Sequence, residues 1–189
     1  MTRQERLHRV RAKLQDAMAE QICLNLDMRD DTTKGYCIGV GRRWALVRVA
    51  APWPDGLVAV RLRDLERIRH EDHQAVERFA FEREGAWPPL PVEGIDLDRT
   101  EGLVTDLAER FPLLGMEVEG ATEQLFVGAP VLLADGTLML QELTTEPAWE
   151  ALSTWRLRDL TRLTVGDRYL SLMDELAPPR PQDPSPFAD

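Results

Sequence analysis

Two arginines flanking a leucine and followed by an aspartate make the densest group of chemically useful side chains in this chain: "RLRDL", Arg61 to Leu65, which recurs at Arg156 to Leu160. Neighbouring guanidiniums can grip a phosphate or a carboxylate through paired N–H donors, so Arg61 and Arg63 are candidate binding residues. Arg42 and Arg43 place two more cations in the turn "GRR", and Trp53 offers a flat ring on which a base can stack. The most metal-like segment is "HEDH", His70 to His73, to which His8 could be added in space. The matching stretch of the second half reads "VGDR" and keeps only the aspartate, which suits a helix cap better than a zinc ligand set.

Motifs for catalysis are missing from the sequence. There is no G-x-S-x-G, Walker-type loop, H-E-x-x-H or C-x-x-C, and three histidines leave little general-base capacity near neutrality. The expectation is a chain that is not an enzyme and needs neither cofactor nor metal. Cys23 and Cys37 flank the polar turn "RDDTTKG". If that turn closes a hairpin, the two sulfurs can lie across from one another as a redox pair; two reduced, half-buried thiols in a reducing cytosol is the preferred reading.

Charge narrows the partners. The net charge is −10, and it is unevenly placed: residues 1–95 hold 16 Lys and Arg against 15 Asp and Glu, which leaves 7 against 18 for residues 96–189. Broad nucleic-acid binding is opposed, because the second half repels phosphates. No apolar run is long enough to cross a bilayer, and the opening "MTRQERLHRVRAK" lacks the apolar core of a secretory signal, so the expected location is cytoplasmic. The Arg3, Arg6, Arg9, Arg11 and Lys13 side of the first helix also carries Glu5, Asp16 and Glu20, a mixed-sign solvated face.

The elements that must position these residues repeat. Residues 57–72, "LVAVRLRDLERIRHED", and residues 152–167, "LSTWRLRDLTRLTVGD", agree at eight of 16 positions, where unrelated segments would share about one. Leu7, Val10, Leu14 and Met18 recur at helical spacing, and strands follow at "QICLNLDM", "GYCIGVG", "WALVRVA", "GLVAVRL" and "ERIRH". Asp72 then stands where a cap should for "HQAVERFAFERE", with Ala75, Val76, Phe79 and Ala80 on one face. The second half repeats the plan. Leu103, Val104, Leu107, Ala108 and Phe111 form a stripe that stops at Pro112; strands follow at "LLGMEVE", "QLFVGAPVLL", "TLMLQEL", "ALSTWRL" and "TRLTV", and Asp167 caps "RYLSLMDELA".

Five short antiparallel strands can curl into a small barrel, so the expected fold is mainly β with flanking helices: two tandem five-stranded barrels related by duplication. The expected boundaries are a first helix-barrel-helix unit at 1–84, a Pro-rich linker at 85–98 packed down by Trp87, a second unit at 99–177 and a disordered Pro-rich tail at 178–189, with Phe187 as its one apolar anchor. "RLRDL" falls between the fourth and fifth strands of each. There Asp64 is expected to bond backbone amides, Leu65 to plug the barrel, and Arg61 and Arg63 to point outward.

The helix, five strands with "GTLMLQEL" at the centre, the aspartate-led turn and the "GDRYLSLMDEL" helix resemble bacterial proteins of uncharacterised role built from tandem SH3-like or Sm-like barrels. The likeness is clearer from Asp96 to Ala177 and implies a fold, not an activity. The Sm branch binds RNA through an Asp-Met-Asn loop and an Arg-Gly loop. Here "LLADGTLML" has Asp135 and Gly136 but no Met-Asn, and no Arg-Gly pair fits.

The reading that follows is a non-catalytic interaction or adaptor protein, monomeric or a homodimer, that binds a protein partner and no membrane. One version is an immunity-like protein whose acidic second unit covers a basic surface. The alternative is an RNA-associated Sm-like protein that uses the less acidic first half.

Overall fold

A helix opens the chain where the apolar spacing predicts one. In the computed structural model, which describes residues 2–29, 31–50, 53–72, 74–121 and 124–181, α1 (Arg3–Ala19) starts from a capping box between Thr2 and Glu5 and lays Leu14 and Ala17 on the sheet. Then come β1 (Cys23–Asp27), β2 (Thr32–Val40), β3 (Trp44–Ala50), β4 (Pro54–Arg61), β5 (Arg67–His70) and α2 (Ala75–Arg83). The second half follows the same order: α3 (Thr100–Ala108), β6 (Leu114–Val118), β7 (Phe126–Ala134), β8 (Thr137–Leu143), β9 (Trp149–Arg156), β10 (Leu160–Val165) and α4 (Arg168–Leu176).

All ten strands join one antiparallel sheet in the order β5-β1-β2-β3-β4-β10-β6-β7-β8-β9. The first five positions and the last five have the same internal order, last strand beside first. The fold is mainly β with four helices. Among the described residues no ladder closes either set into a barrel, so the closed pair expected from the strand count is replaced by an open sheet with two edges, β5 and β9. The reason is the seam: β4, which barrel closure would keep within its own set, pairs with β10 of the other (Val60 opposite Arg162, Leu57 opposite Val165).

The seam explains why "WALV" and "LVAV" are apolar at consecutive positions. A strand covered on both faces needs no polar alternation. Ala45, Val47, Val58 and Val60 pack under α1, whereas Trp44, Leu46, Leu57 and Ala59 pack against α3 and the second set in a shared core. Arg61 locks the seam. It is 6% exposed, lies over the Trp44 ring and donates to the carbonyls of Arg158 (2.5 Å) and Leu160 (2.7 Å) across the junction. Burial, and after it the charge of Arg63, holds the guanidinium below its ordinary range.

Several local expectations are corrected. Asp72 does not cap α2, which begins three residues later behind Gln74, whose side chain instead accepts from the Cys23 amide. Of the face expected to turn inward on α2 only Ala80 does: Ala75, Val76 and Phe79 are exposed, while Phe81 and Glu77 are buried, Glu77 in an ion pair with Lys34 at 2.5 Å. Asp64 meets the Arg63 guanidinium at 3.3 Å rather than a backbone amide, and Leu65 is buried as expected. Asp167 does cap α4, accepting from the Leu170 amide at 2.6 Å. Trp87 packs edge-on to Tyr36 at 5.5 Å and holds the linker down. His73, the Ala51–Pro52 end of the β3–β4 turn, and residues 182–189, including Phe187, lie outside the described residues. No helix among the described residues is long and apolar enough to cross a membrane.

The cysteines do not face each other. Cys23 is opposite Tyr36 in the β1–β2 ladder, so Cys37, one residue on, projects to the other face and into a different cluster. Both thiols are buried rather than half-buried. Burial pushes Cys23 up to about 12, with the negative charge of Glu77 adding to it, and Cys37 up to about 11.

Two predictions follow from the seam and the thiols. Arg61→Met strands the buried Leu160 carbonyl and leaves that of Arg158 to Arg63 alone, and should cost about 1–3 kcal/mol in urea unfolding, whereas Arg156→Met, its exposed counterpart, should stay within about 0.5 kcal/mol. Equal effects would show that the seam does not depend on Arg61. A chromogenic disulfide reagent at neutral pH should titrate neither thiol until the chain unfolds. Because an unfolded thiol ionises near 9.0 and these ionise only above it, the thiols' contribution to stability should be constant below that pH and fall as pH rises from there towards 11.

Candidate functional site

A strap crosses the β2–β3 turn and builds a cleft. The Leu97 carbonyl accepts from the amides of Arg43 (3.2 Å) and Trp44 (3.0 Å), and Asp98 clasps Arg42 through its amide (2.7 Å) and its Nε (2.9 Å). Gly41 permits this approach, since a Cβ there would overlap the Leu97 backbone. Beneath the strap the Trp44 indole donates to Thr100 Oγ1 at 3.1 Å and fixes the start of α3. Opposite, Asp135 and Gly136 both take positive φ, the two-residue turn that an Asp-Gly pair favours between β7 and β8.

Between these walls lies a cleft of about 670 Å³. Arg43, Arg99, Arg156 and Arg158 line it with Thr100, Thr137, Glu101 and Asp135, so four cations face two carboxylates. Arg99 is held by Asp96 at 2.8 Å and Arg158 reaches Asp159 at 3.6 Å. The guanidiniums of Arg43 and Arg156 are exposed and make no hydrogen bond or ion pair among the described residues. The arrangement can bind an anion; nothing in its lining is a nucleophile paired with a base.

Of the candidate binding residues Arg42, Arg43, Trp53, Arg61 and Arg63, only Arg43 lines this cleft. Arg42 is neutralised by Asp98. Arg61 is inside the seam, not outward, and Arg63 is spent on Asp64, on Glu119 at 2.9 Å and on the Arg158 carbonyl. Trp53 is elsewhere, with Arg83 over its ring at 6.0 Å. His8 and His70 belong to no cluster of three or more His, Cys, Asp or Glu among the described residues. Arg99, Arg156 and Arg158 were not among the candidate binding residues, although the repeat that placed Arg61 and Arg63 also placed Arg156 and Arg158.

The two sheet edges differ. On β5, Arg6 of α1 donates to the Leu65 carbonyl and Lys13 to that of Ile68 at 2.9 Å; Leu65 is the counterpart of Leu160, whose carbonyl Arg61 holds. Lysine and arginine thus blunt this edge. On β9 Gln141 of β8 donates to the Glu150 carbonyl, and no lysine or arginine holds a carbonyl of the strand among the described residues. The Leu157 amide bonds to the Gly136 carbonyl, which sets the ladder parity so that the main-chain groups of Leu152, Thr154 and Arg156 point away from β8. These are the counterparts of Leu57, Ala59 and Arg61, the positions at which β4 receives β10. The adjoining face is bare too: Leu152 is 45% and Leu132 54% exposed, against 3% for Leu57.

Comparison with protein-family models, curated proteins and solved structures finds no match for the chain.

Gly41→Ala tests the strap: the added methyl must push Leu97 off the turn, with an expected loss of about 1–3 kcal/mol in urea unfolding. Unchanged stability would mean that the strap yields freely and does not set the cleft wall.

Proposed function

We propose that this is a non-catalytic binding protein that takes a strand of a protein partner onto β9, with each five-strand set acting as one SH3-like or Sm-like module. One observation carries the reading. The edge that β10 covers in the first set has no strand on it among the described residues in the second, where the ladder parity turns the main-chain groups of the same positions outward and Leu152 is exposed. An added antiparallel strand supplies main-chain hydrogen bonds, and its alternate side chains can cover Leu152. The chain's net charge of −10 favours a partner of overall positive charge.

The partner is a different protein rather than a second copy. The complementary edge of this chain, β5, has its Ile68 carbonyl held by Lys13 of α1, Arg6 holds that of Leu65 just before the strand, and the outer face of α1 is charged. The RNA reading has less support: of the cations nominated for it, Arg42 is paired with a carboxylate, while Trp53, its stacking ring, lies apart from the cleft.

Thr154→Pro removes an outward N–H without touching the β8 ladder, and Leu152→Lys places a charge on the apolar face. Nuclease-treated lysate of the source cells passed over the wild-type chain should leave a discrete protein that both variants lose, and that protein, once purified, should slow amide exchange at Leu152, Thr154 and Arg156. Retention from untreated lysate of material that nuclease then removes, with no protein left behind, or a self-associated mass in light scattering that Thr154→Pro abolishes, would overturn the reading, in the second case by giving the strand to another copy's β5.

A further inference from the structure

The internal seam shows what an incoming strand meets at the mouth of β9. Where β10 joins β4, Arg61 takes main-chain carbonyls from the turn that leads into β10, and Arg63 takes the Glu119 carboxylate at 2.9 Å. Shifted by the repeat, the same two positions are Arg156 and Arg158, and both line the cleft at the end of β9. Their guanidiniums have no such partners: Arg156 has none among the described residues, and Arg158 only its neighbour Asp159 at 3.6 Å. Arg43 adds a third cation with no partner of its own among the described residues.

Resting on the strand-addition reading, we infer that this arginine cleft is a carboxylate pocket: it receives an Asp or Glu side chain that stands just before the strand the partner lays on β9. Direction follows from the sheet. Every ladder is antiparallel and β9 ends at Arg156, so a partner strand starts at the cleft and the residues before it enter the cleft. Paired N–H donors on Arg156 and Arg158 match a carboxylate in geometry as well as charge. A nucleic-acid strand fits less well. The lining has no aromatic ring on which a base could stack, and Glu101 and Asp135 interrupt any path for successive phosphates.

Selection from a library of random peptides about twelve residues long, displayed against the full chain, tests this with defined probes. The expected winners carry Asp or Glu ahead of an alternating apolar segment. A synthetic winner should lose roughly tenfold or more in affinity when its acid becomes Asn or Gln. It should lose as much against the Arg156→Gln, Arg158→Gln double variant, with no further loss when both changes are combined. Winners without a preferred acid, or winners that bind the double variant undiminished, overturn the carboxylate pocket. If binding then still falls with Thr154→Pro, strand addition survives alone; if Thr154→Pro has no effect while the double variant abolishes binding, the pocket stands and strand addition fails. Binding of a ten-nucleotide oligouridylate that the double variant loses would assign the cleft to RNA and overturn the inference.

Discussion

The pairing of β4 with β10 is the constraint on which the rest of the structure depends. It joins two similar five-strand sets edge to edge in a head-to-tail sense, the fourth strand of one against the fifth of the other. Such a contact uses two different edges, so it consumes one of each kind and leaves one of each kind over. The sheet therefore ends in β5 and β9, whose chemistry is already displayed at its centre. An exposed row of unpaired amides invites aggregation, and a protein that keeps such an edge must blunt it or use it. Here Arg6 and Lys13 of α1 blunt the β5 end, and β9 carries no such cation among the described residues.

The two copies have diverged in the manner this asymmetry demands. Leu57 and Ala59 of β4 lie under α3 in the shared core, and the equivalent Leu152 and Thr154 of β9 lie in the open. The arginines diverge by environment alone. Arg61 and Arg156 occupy the same place in the same five-residue run, yet one is buried on two carbonyls and the other faces solvent. A buried guanidinium needs those acceptors, because an uncompensated charge there would cost several kcal/mol. An exposed one tolerates their absence.

Much of this was legible in the sequence, and what was not has identifiable causes. Period-two alternation, which is a local signal, and the repeat between the two halves located all ten strands. The seam was missed because it links residues far apart in the chain, and identical "RLRDL" runs carry no mark of which is covered. A signal was nonetheless present: "LVAV" is apolar on both faces, and its copy "LSTW" puts Ser153 and Thr154 where Val58 and Ala59 stand. A strand apolar on both faces is buried on both, and a copy that turns polar has lost its cover. Glu77 and Phe79 misled in the opposite direction, since an ion pair with Lys34 drew the acid inward and turned the aromatic to solvent.

An arginine cleft in a chain of net charge −10 is less paradoxical than it looks. Net charge acts at long range and is screened beyond about 8–10 Å at physiological ionic strength, so it governs which molecules approach. Within the cleft, contact geometry decides, and Arg43 and Arg156 are held there by the turns that the strap and the repeat impose. A basic partner drawn in by the overall field would still have to place one carboxylate against these guanidiniums as its strand met Leu152 and Thr154. Attraction and recognition would then call for opposite charges at different distances, which excludes a uniformly basic surface as firmly as a uniformly acidic one.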